Sequence, residues 1–197
     1  MPKRRVDKYI LDSSNLIAEK IKSDSARLDA ELLIAEALKK PRSFLYSHPE
    51  YKLTGSIFKL ANHLISLRCK GFPVAYLLGK KDFWNFELDV NSSVLIPRPE
   101  TELLVEFVLK LDLPKQIDII DLGTGTGAIA LALALERKEW NVTAVDLYDD
   151  ALEVARKNFI KIFGEKSCPI HLIKSDWFSN LSDHYFDVII SNPPYIN

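Results

Sequence analysis

Apolar residues recur at helical spacing through roughly the first 75 residues of the chain. An early stripe begins at Val6, but the polar residues 12–15 interrupt it. The clearest later stripes are Leu28, Leu32, Ala35 and Leu38, and then Ile57, Leu60, Ala61, Leu64 and Ile65. The pattern predicts a small helical bundle, which we assign as a domain over residues 1–78.

The spacing of apolar residues then shortens to a period of two. Apolar residues from Trp84 to Val90 alternate with polar ones, which is typical of a strand with one buried face. The polar residues 91–93 favour a turn, and the apolar residues 94–96 begin a return strand. The sequence therefore predicts a β-hairpin that links two domains across residues 79–97.

Strands and helices alternate in the rest of the chain. Pro99, with Glu100 and Glu102 close behind, favours a helix start, because proline fits the first turn and carboxylates favour the positive helix end. Further segments are predicted as strands at 117–121, 142–146, 170–173 and 186–191 and as helices at 127–137 and 151–162. This alternation predicts an α/β domain with a mostly parallel sheet over residues 98–197.

Composition narrows the class of protein further. The 197 residues carry a net charge of -1 and give a pI of about 6.4, so no strong overall field draws the chain to nucleic acid or a membrane. No apolar run is long enough to span a bilayer, and no signal-peptide core is present. Cys69 and Cys168 are predicted to be reduced thiols of a cytoplasmic protein. The four histidines lack metal-ligand spacing, so we expect no metal site.

A glycine-rich turn follows the first predicted strand of the α/β domain. It has the spacing GxGxG, formed by Gly123, Thr124, Gly125, Thr126 and Gly127, rather than the GxGxxG of dinucleotide dehydrogenases. Glycine lets backbone amides approach a ligand because no Cβ intervenes, and the start of the following helix favours a carboxylate. We predict that this turn binds a cofactor. A tight strand–helix turn without a ligand is the alternative.

Polar residues at the neighbouring strand ends indicate which ligand the turn would bind. Asp146 ends the second strand, where a carboxylate accepts hydrogen bonds from both ribose hydroxyls, and Asp121 could hold an ammonium group. A carboxylate, an ammonium group and a ribose diol together describe S-adenosylmethionine. Asp176 and Trp177 follow the third strand, where they would meet the amine and the face of an adenine. A turn or capping role for Asp146 and a core position for Trp177 are the alternatives.

The last predicted strand runs into Asn192, Pro193, Pro194 and Tyr195. Pro193 favours extended backbone at Asn192, and Pro194 ends the strand ladder because it has no amide hydrogen. The Asn192 side-chain carbonyl and a backbone carbonyl offer two acceptors to an NH2 group, and Tyr195 offers a flat face. Two such hydrogen bonds would orient a weakly nucleophilic amide nitrogen for in-line methyl transfer without a dedicated general base. The alternative is an ordinary strand-ending turn.

Taken together, these segments resemble the HemK/PrmC protein-(glutamine-N5) methyltransferases. The segments that carry the resemblance are FPVAYLLG at 72–79, FW at 83–84, LIPRPETE at 95–102, DLGTGTGAIA at 121–130, SDWF at 175–178 and NPPYI at 192–196. NPPY alone is a weak signal, because DNA adenine methyltransferases carry it too. The resemblance implies a class I, Rossmann-like methyltransferase that uses S-adenosylmethionine to methylate the glutamine in the Gly-Gly-Gln loop of class 1 peptide-chain release factors.

The resemblance also assigns roles to residues and domains. It implies that residues 123–127, Asp146, Trp177 and Asn192 contact the cofactor, and that residues 192–195 hold the glutamine side chain. It places residues 98–102 near the active site. It also implies that the amino-terminal bundle helps to dock the release factor, and neither a membrane nor a directly bound nucleic acid is expected as a partner.

One departure from the family concerns the sheet, which has seven strands in the family and four after the hairpin here. We therefore expect the chain to be truncated after the NPPY motif, with the fourth strand left as an unpaired edge. Two alternatives stay open. The first is a nucleic-acid adenine methyltransferase, which the mildly acidic pI and the lack of a visible basic region disfavour. The second is a fragment that binds cofactor or partner without turnover.

Overall fold

A computed structural model describes residues 4–182 and 184–193 of the chain. They fall into two compact units, one up to Leu78 and the other from Gly79 onward. The predicted α/β class, with a helical amino-terminal region and a hairpin, is confirmed. No helix within these described ranges is long and apolar enough to cross a membrane.

The first unit packs helices around an aliphatic core. Its described elements are β1 (Arg4–Arg5), α1 (Val6–Ile21), α2 (Ala26–Leu38), α3 (Arg42–Ser47), β2 (Lys52–Leu53), α4 (Gly55–Cys69) and α5 (Val74–Leu78). The two short strands pair antiparallel with each other. The centre of the core is formed by side chains that water does not reach, among them Ile17, Leu33, Ile34 and Leu53.

Helix α1 is continuous, so the interruption inferred at residues 12–15 is wrong. Val6 and Ile17 lie on its buried face, and Ser13 and Ser14 fill the buried positions between them. A serine side chain is small enough for close packing, and its hydroxyl can bond to backbone within a helix. The stripe therefore runs on through polar residues, which hydrophobicity alone does not reveal.

Two buried carboxylates on α2 hold the bundle together. Asp29 accepts a hydrogen bond from Arg68 Nε of α4 at 2.8 Å. Glu31 accepts one from the Tyr46 hydroxyl of α3 at 2.6 Å and pairs with Arg42 Nε at 3.0 Å. A buried carboxylate is tolerated only when it is paired and hydrogen-bonded, so these contacts fix α2 against α3 and α4.

The second unit is built on a parallel sheet whose described strands lie in the order β7-β6-β5-β8. Its elements are β3 (Lys80–Phe83), β4 (Phe86–Asp89), α6 (Pro99–Leu109), β5 (Asp118–Leu122), α7 (Ala128–Glu136), β6 (Asn141–Asp146), α8 (Asp149–Phe163), β7 (Ile170–Lys174) and β8 (Val188–Ser191). The predicted parallel sheet is confirmed, and each of its four predicted strands overlaps an observed one.

The hairpin of this unit lies earlier in the chain than predicted. Strand β3 pairs antiparallel with β4, and Phe83 faces Phe86 across a two-residue loop. The loop is therefore Trp84-Asn85, and the predicted return strand at 94–96 is irregular backbone. Lys80, Lys81 and Asp82 form the first strand instead, although their polarity gave no strand signal.

Trp84 occupies a strained position in this loop. Its φ is +55°, a left-handed conformation that bulky residues rarely adopt but that two-residue hairpin loops require. The Trp84 amide donates to Glu102 Oε1 at 2.9 Å, and the indole N–H donates to Glu136 Oε1 at 2.8 Å. These two bonds tie the loop to the start of α6 and to the end of α7, and they hold the strained backbone in place.

A buried amide joins the hairpin to the glycine-rich turn. Asn158 on α8 is fully buried. Its Oδ1 accepts the Asp89 amide at 2.7 Å, and its Nδ2 donates to the carbonyls of Asp89 at 3.0 Å and Thr126 at 2.9 Å. Both donor hydrogens and the carbonyl are thus satisfied. The peptide plane after Thr126 is held in one orientation as a result.

Candidate active site

The two predicted binding segments leave the sheet from neighbouring strands. Strands β5 and β8 are parallel partners, with Leu122 opposite Ser191. The Ser191 hydroxyl also donates to the Leu122 carbonyl at 2.9 Å. The glycine-rich turn and Asn192 therefore start side by side at the carboxyl edge of the sheet. The chain leaves β5 toward β6 on one side and reaches β8 on the other, so this edge is the switch point where open α/β sheets bind ligands.

The amides of the glycine-rich turn are largely used within the protein. Gly123 and Thr124 both donate to the Val145 carbonyl, at 2.9 and 2.8 Å, and Gly125 donates to Asp146 Oδ2 at 2.9 Å. What the turn offers a ligand is space, because a Cβ at Gly123 or Gly125 would meet no atom within 4 Å. The turn lines a cavity of about 50 Å³ together with the start of α7.

Asp121 is a buried carboxylate with spare hydrogen-bonding capacity at this edge. Its Oδ2 accepts the Thr124 hydroxyl at 2.6 Å, whereas its Oδ1 has no hydrogen-bond partner among residues 4–182 and 184–193. Burial, reinforced by the charge of Asp146, raises the pKa of Asp121 to about 6, although the Thr124 hydroxyl and the nearby Ala130 amide act in the opposite direction. Such a carboxylate favours a cationic group placed beside it.

We expect replacement of Asp121 with asparagine to stabilise the second unit at neutral pH. The pKa of this group rises from 3.8 to about 6 on folding, so the unfolded chain loses the proton at a lower pH than the folded one. The free energy of unfolding therefore decreases as the pH rises from about 4 to about 6. Above about pH 6 the ionised buried group costs roughly 3 kcal/mol, which asparagine avoids.

Urea unfolding at several pH values checks this expectation. Trp84, Trp140 and Trp177 all lie in the second unit, so tryptophan fluorescence reports on its unfolding. The stability gained by Asp121→Asn should be small near pH 4 and reach its full size above about pH 6. A gain that is the same at every pH would contradict the raised pKa.

Asp146, the predicted ribose ligand, lies at the end of β6 next to the glycine-rich turn. Its Oδ2 accepts the Gly125 amide at 2.9 Å and its Oδ1 accepts the Tyr148 amide at 3.1 Å. The bond to the Tyr148 amide stabilises a turn, so Asp146 has the turn role that the sequence left open as an alternative. A carboxylate has about four acceptor positions, so these two bonds leave room for hydroxyl donors from a ligand.

Trp177, the predicted adenine-stacking residue, follows the end of β7. Its side chain is 55% exposed, which excludes the core position considered as an alternative. The backbone at Trp177 is left-handed, with a φ of +51°. Asp176 beside it is also exposed. Both side chains are therefore accessible to a ligand.

Asn192 lies where the acceptor site was predicted, and its side-chain amide is held by α6. Asn192 Nδ2 donates to Thr101 Oγ1 at 3.0 Å. The two residues line the cavity beside the glycine-rich turn and also a larger one of about 360 Å³. The larger cavity is lined by Leu95, Arg98, Glu100, Thr101, Leu104, Ser191 and Asn192. Asn192 thus lines both cavities.

Two of the predicted site residues lie outside the residues that the structure describes, and one residue of the site was not predicted from the sequence. Pro193 is exposed after Asn192, whereas Pro194 and Tyr195 lie outside the described residues. Thr101 was not singled out, and the only signal for it was its place in the PETE segment. In the described part of the chain, no cluster of three or more His, Cys, Asp or Glu residues could hold a metal ion.

Comparison with protein-family models gives two matches that lie one after the other along the chain. Residues 14–79 match the PrmC N-terminal domain. Residues 98–197 match the methyltransferase small domain. The second match begins just before α6 and includes the glycine-rich turn, Thr101 and Asn192, so it covers most of the residues that line the two cavities.

Individual relatives match over most of this chain. It is 46% identical to the release factor glutamine methyltransferase of Shewanella oneidensis over 175 residues, 89% of this chain and 60% of the relative. The protein of the same name from Pseudomonas aeruginosa is 47% identical over 174 residues, 88% of this chain and 62% of the relative. The protein of that name from Leptospira interrogans is 42% identical over 191 residues, which are 95% of this chain and 66% of the relative. The chain therefore spans about 60% of the length of the first of these relatives.

Proposed function

This chain belongs to the HemK/PrmC methyltransferase family, and we propose that it methylates the side-chain amide nitrogen of a glutamine with S-adenosylmethionine as methyl donor. The glutamine is the one in the Gly-Gly-Gln motif of class 1 peptide-chain release factors. The observation that carries this proposal is the placement of the glycine-rich turn and Asn192 at the ends of paired strands, where they line one cavity.

The residues at the cleft fit the proposed cofactor. Asp121 has one carboxylate oxygen that bonds to no other residue in the described part of the chain and would suit the ammonium group, and the start of α7 favours the carboxylate. Asp146 has acceptor positions left for the ribose hydroxyls, and Trp177 presents an accessible indole for the adenine. Residues 123–127 leave open space in which a ligand can lie close to the backbone.

The acceptor side of the cleft would orient the glutamine amide. When bound, S-adenosylmethionine would supply an activated methyl group: the S–CH3 bond would break to leave a neutral thioether, an N–CH3 bond would form, and the amide nitrogen would release one proton to solvent. Asn192 Oδ1 accepts one N–H of the acceptor amide and a backbone carbonyl accepts the other, which fixes the nitrogen for in-line attack. Pro193, Pro194 and Tyr195 complete the proposed holder of the side chain. Placement of this kind contributes about 7–11 kcal/mol to lowering a barrier.

The amino-terminal unit is the proposed docking element for the release factor. It is a compact helical unit of its own, and it carries the match to the PrmC N-terminal domain. The buried pairs on α2 give it a fixed surface to present. A release factor as substrate places the proposed reaction in the cytoplasm. The relatives' names do not favour the alternative of an adenine methyltransferase.

Incubation with labelled S-adenosylmethionine and a class 1 release factor tests the proposal. We expect label in the release factor and none when the Gly-Gly-Gln glutamine is replaced by alanine. Labelling that survives this replacement would refute the proposed acceptor. Calorimetric titration with S-adenosylmethionine identifies the remaining alternative, because binding without any methyl transfer would indicate a binding-only fragment.

A further inference from the structure

We propose that Thr101 is a positioning residue that turns the Asn192 side chain so that its carbonyl oxygen faces the acceptor. The inference rests on the proposed function for its kinetic consequence. It is carried by the 3.0 Å hydrogen bond from Asn192 Nδ2 to Thr101 Oγ1 and by the place of both residues in the lining of both cavities. Thr101 is buried, with 7% of its surface exposed.

The need for such a residue comes from the chemistry of an amide. The Asn192 side chain has an NH2 end and a carbonyl end, and a rotation of its terminal torsion exchanges them. Only the carbonyl end can accept a hydrogen bond from the NH2 group of a glutamine. The other orientation would bring two sets of N–H hydrogens together. A hydroxyl can either accept from Nδ2 or donate to Oδ1. Here the Thr101 hydroxyl accepts from Nδ2 at 3.0 Å, which leaves the carbonyl oxygen toward the remaining space.

Thr101 itself is held from outside the acceptor segment. It lies in the first turn of α6, where its amide donates to the Arg98 carbonyl at 3.0 Å. The next residue, Glu102, accepts the Trp84 amide at 2.9 Å. The start of α6 is thereby tied to the hairpin, so the Thr101 hydroxyl has a position that does not depend on β8. A fixed partner of this kind can orient Asn192, whereas a mobile one could not.

Two substitutions at Thr101 test the inference. Thr101→Val keeps the shape and removes the hydroxyl, and Thr101→Ser keeps the hydroxyl and removes the methyl group. We expect Thr101→Val to lower kcat about tenfold or more, the equivalent of one oriented hydrogen bond, and Thr101→Ser to restore it to within about threefold of the original. The dissociation constant of S-adenosylmethionine should change by less than about twofold in both, because the hydroxyl is bonded to Asn192.

The side-chain NH2 resonances of Asn192 give a readout that does not need turnover. They are assigned in the 15N spectrum of the protein by their loss in Asn192→Ala. We expect them to shift in Thr101→Val and to stay close to their original positions in Thr101→Ser. This measurement keeps the inference testable if the protein methylates no glutamine, in which case the proposed function fails and the positioning role is judged from the spectrum.

Several outcomes would overturn the inference. Asn192 resonances that are unchanged in Thr101→Val would show that the hydroxyl does not orient the amide. A serine variant as slow as the valine variant would indicate that the methyl group matters instead. Equal losses in kcat and in cofactor affinity would indicate a general disturbance of the cleft rather than an effect on the acceptor.

Discussion

An Asn192→Ala protein is expected to lose methyl transfer by about two to three orders of magnitude, the loss seen when one oriented polar group is removed from an active site. The side chain is the proposed acceptor of the glutamine N–H, and its amide is already held by Thr101. Cofactor affinity should fall by less than about tenfold, since Asn192 contributes at most a single hydrogen bond to that ligand. Single-turnover rates and calorimetric titration measure the two effects separately.

Asn141→Ala is the matched control for this substitution. Asn141 is the first residue of β6, at the amino ends of the strands and thus at the end of the sheet away from Asn192. Its Nδ2 donates to Asp118 Oδ1 at 3.0 Å. The control loses a comparable amide and a comparable hydrogen bond, but far from the cleft. A similar loss of rate in both variants would show that sheet stability, and not the acceptor, determines the result. Full activity of Asn192→Ala would refute the proposed role.

A Gly127→Ala protein is expected to be less stable by roughly 2–5 kcal/mol in its second unit, because strain and overlap add. Gly127 has a φ of +80°, which an alanine adopts only with strain. A Cβ there would also lie 2.3 Å from Phe159 Cε1. The Phe159 ring is 2% exposed and has little room to move. Urea unfolding followed by tryptophan fluorescence gives the free energy.

Gly123→Ala separates the two causes. Gly123 has a similar φ of +73°, but a Cβ there meets no atom within 4 Å. We expect this control to be destabilised by only about 1–2 kcal/mol, the strain of left-handed backbone. Combining Gly127→Ala with Phe159→Ala should then cost less than the sum of the single changes. Equal losses of stability in Gly123→Ala and Gly127→Ala would mean that the Phe159 ring moves aside at little cost.

The elements of the sheet were predictable because short apolar runs alternate with helical stripes. The polar or glycine residue directly after each run then identified the end of a strand, as with Gly123 after β5 and Asn192 after β8. Parallel strands bring such ends to one edge, so the sequence predicted that these residues lie at the same edge and that they meet if their strands are neighbours. Their juxtaposition depends on strand order, which the pairing of Leu122 with Ser191 now shows.

The parts that could not be predicted depend on contacts between distant residues. Trp84 adopts a left-handed turn because Glu102 and Glu136 bind it, and no local pattern indicates this. Asn158 and Thr101 are ordinary polar residues in helices until their partners are known. Single-sequence periodicity reports the burial of a face, but it does not report which polar group across the fold completes a hydrogen bond.

The pairing of β5 with β8 has an evolutionary consequence. Adjacent strands lie about 4.8 Å apart, so the separation of the glycine-rich turn and the segment that begins at Asn192 is set by the backbone ladder. Residues after β8 can therefore be exchanged without altering the spacing between the proposed cofactor turn and the proposed acceptor segment. Lineages built on this sheet could acquire new nitrogen acceptors by changing one segment, while the inherited cofactor turn stays intact.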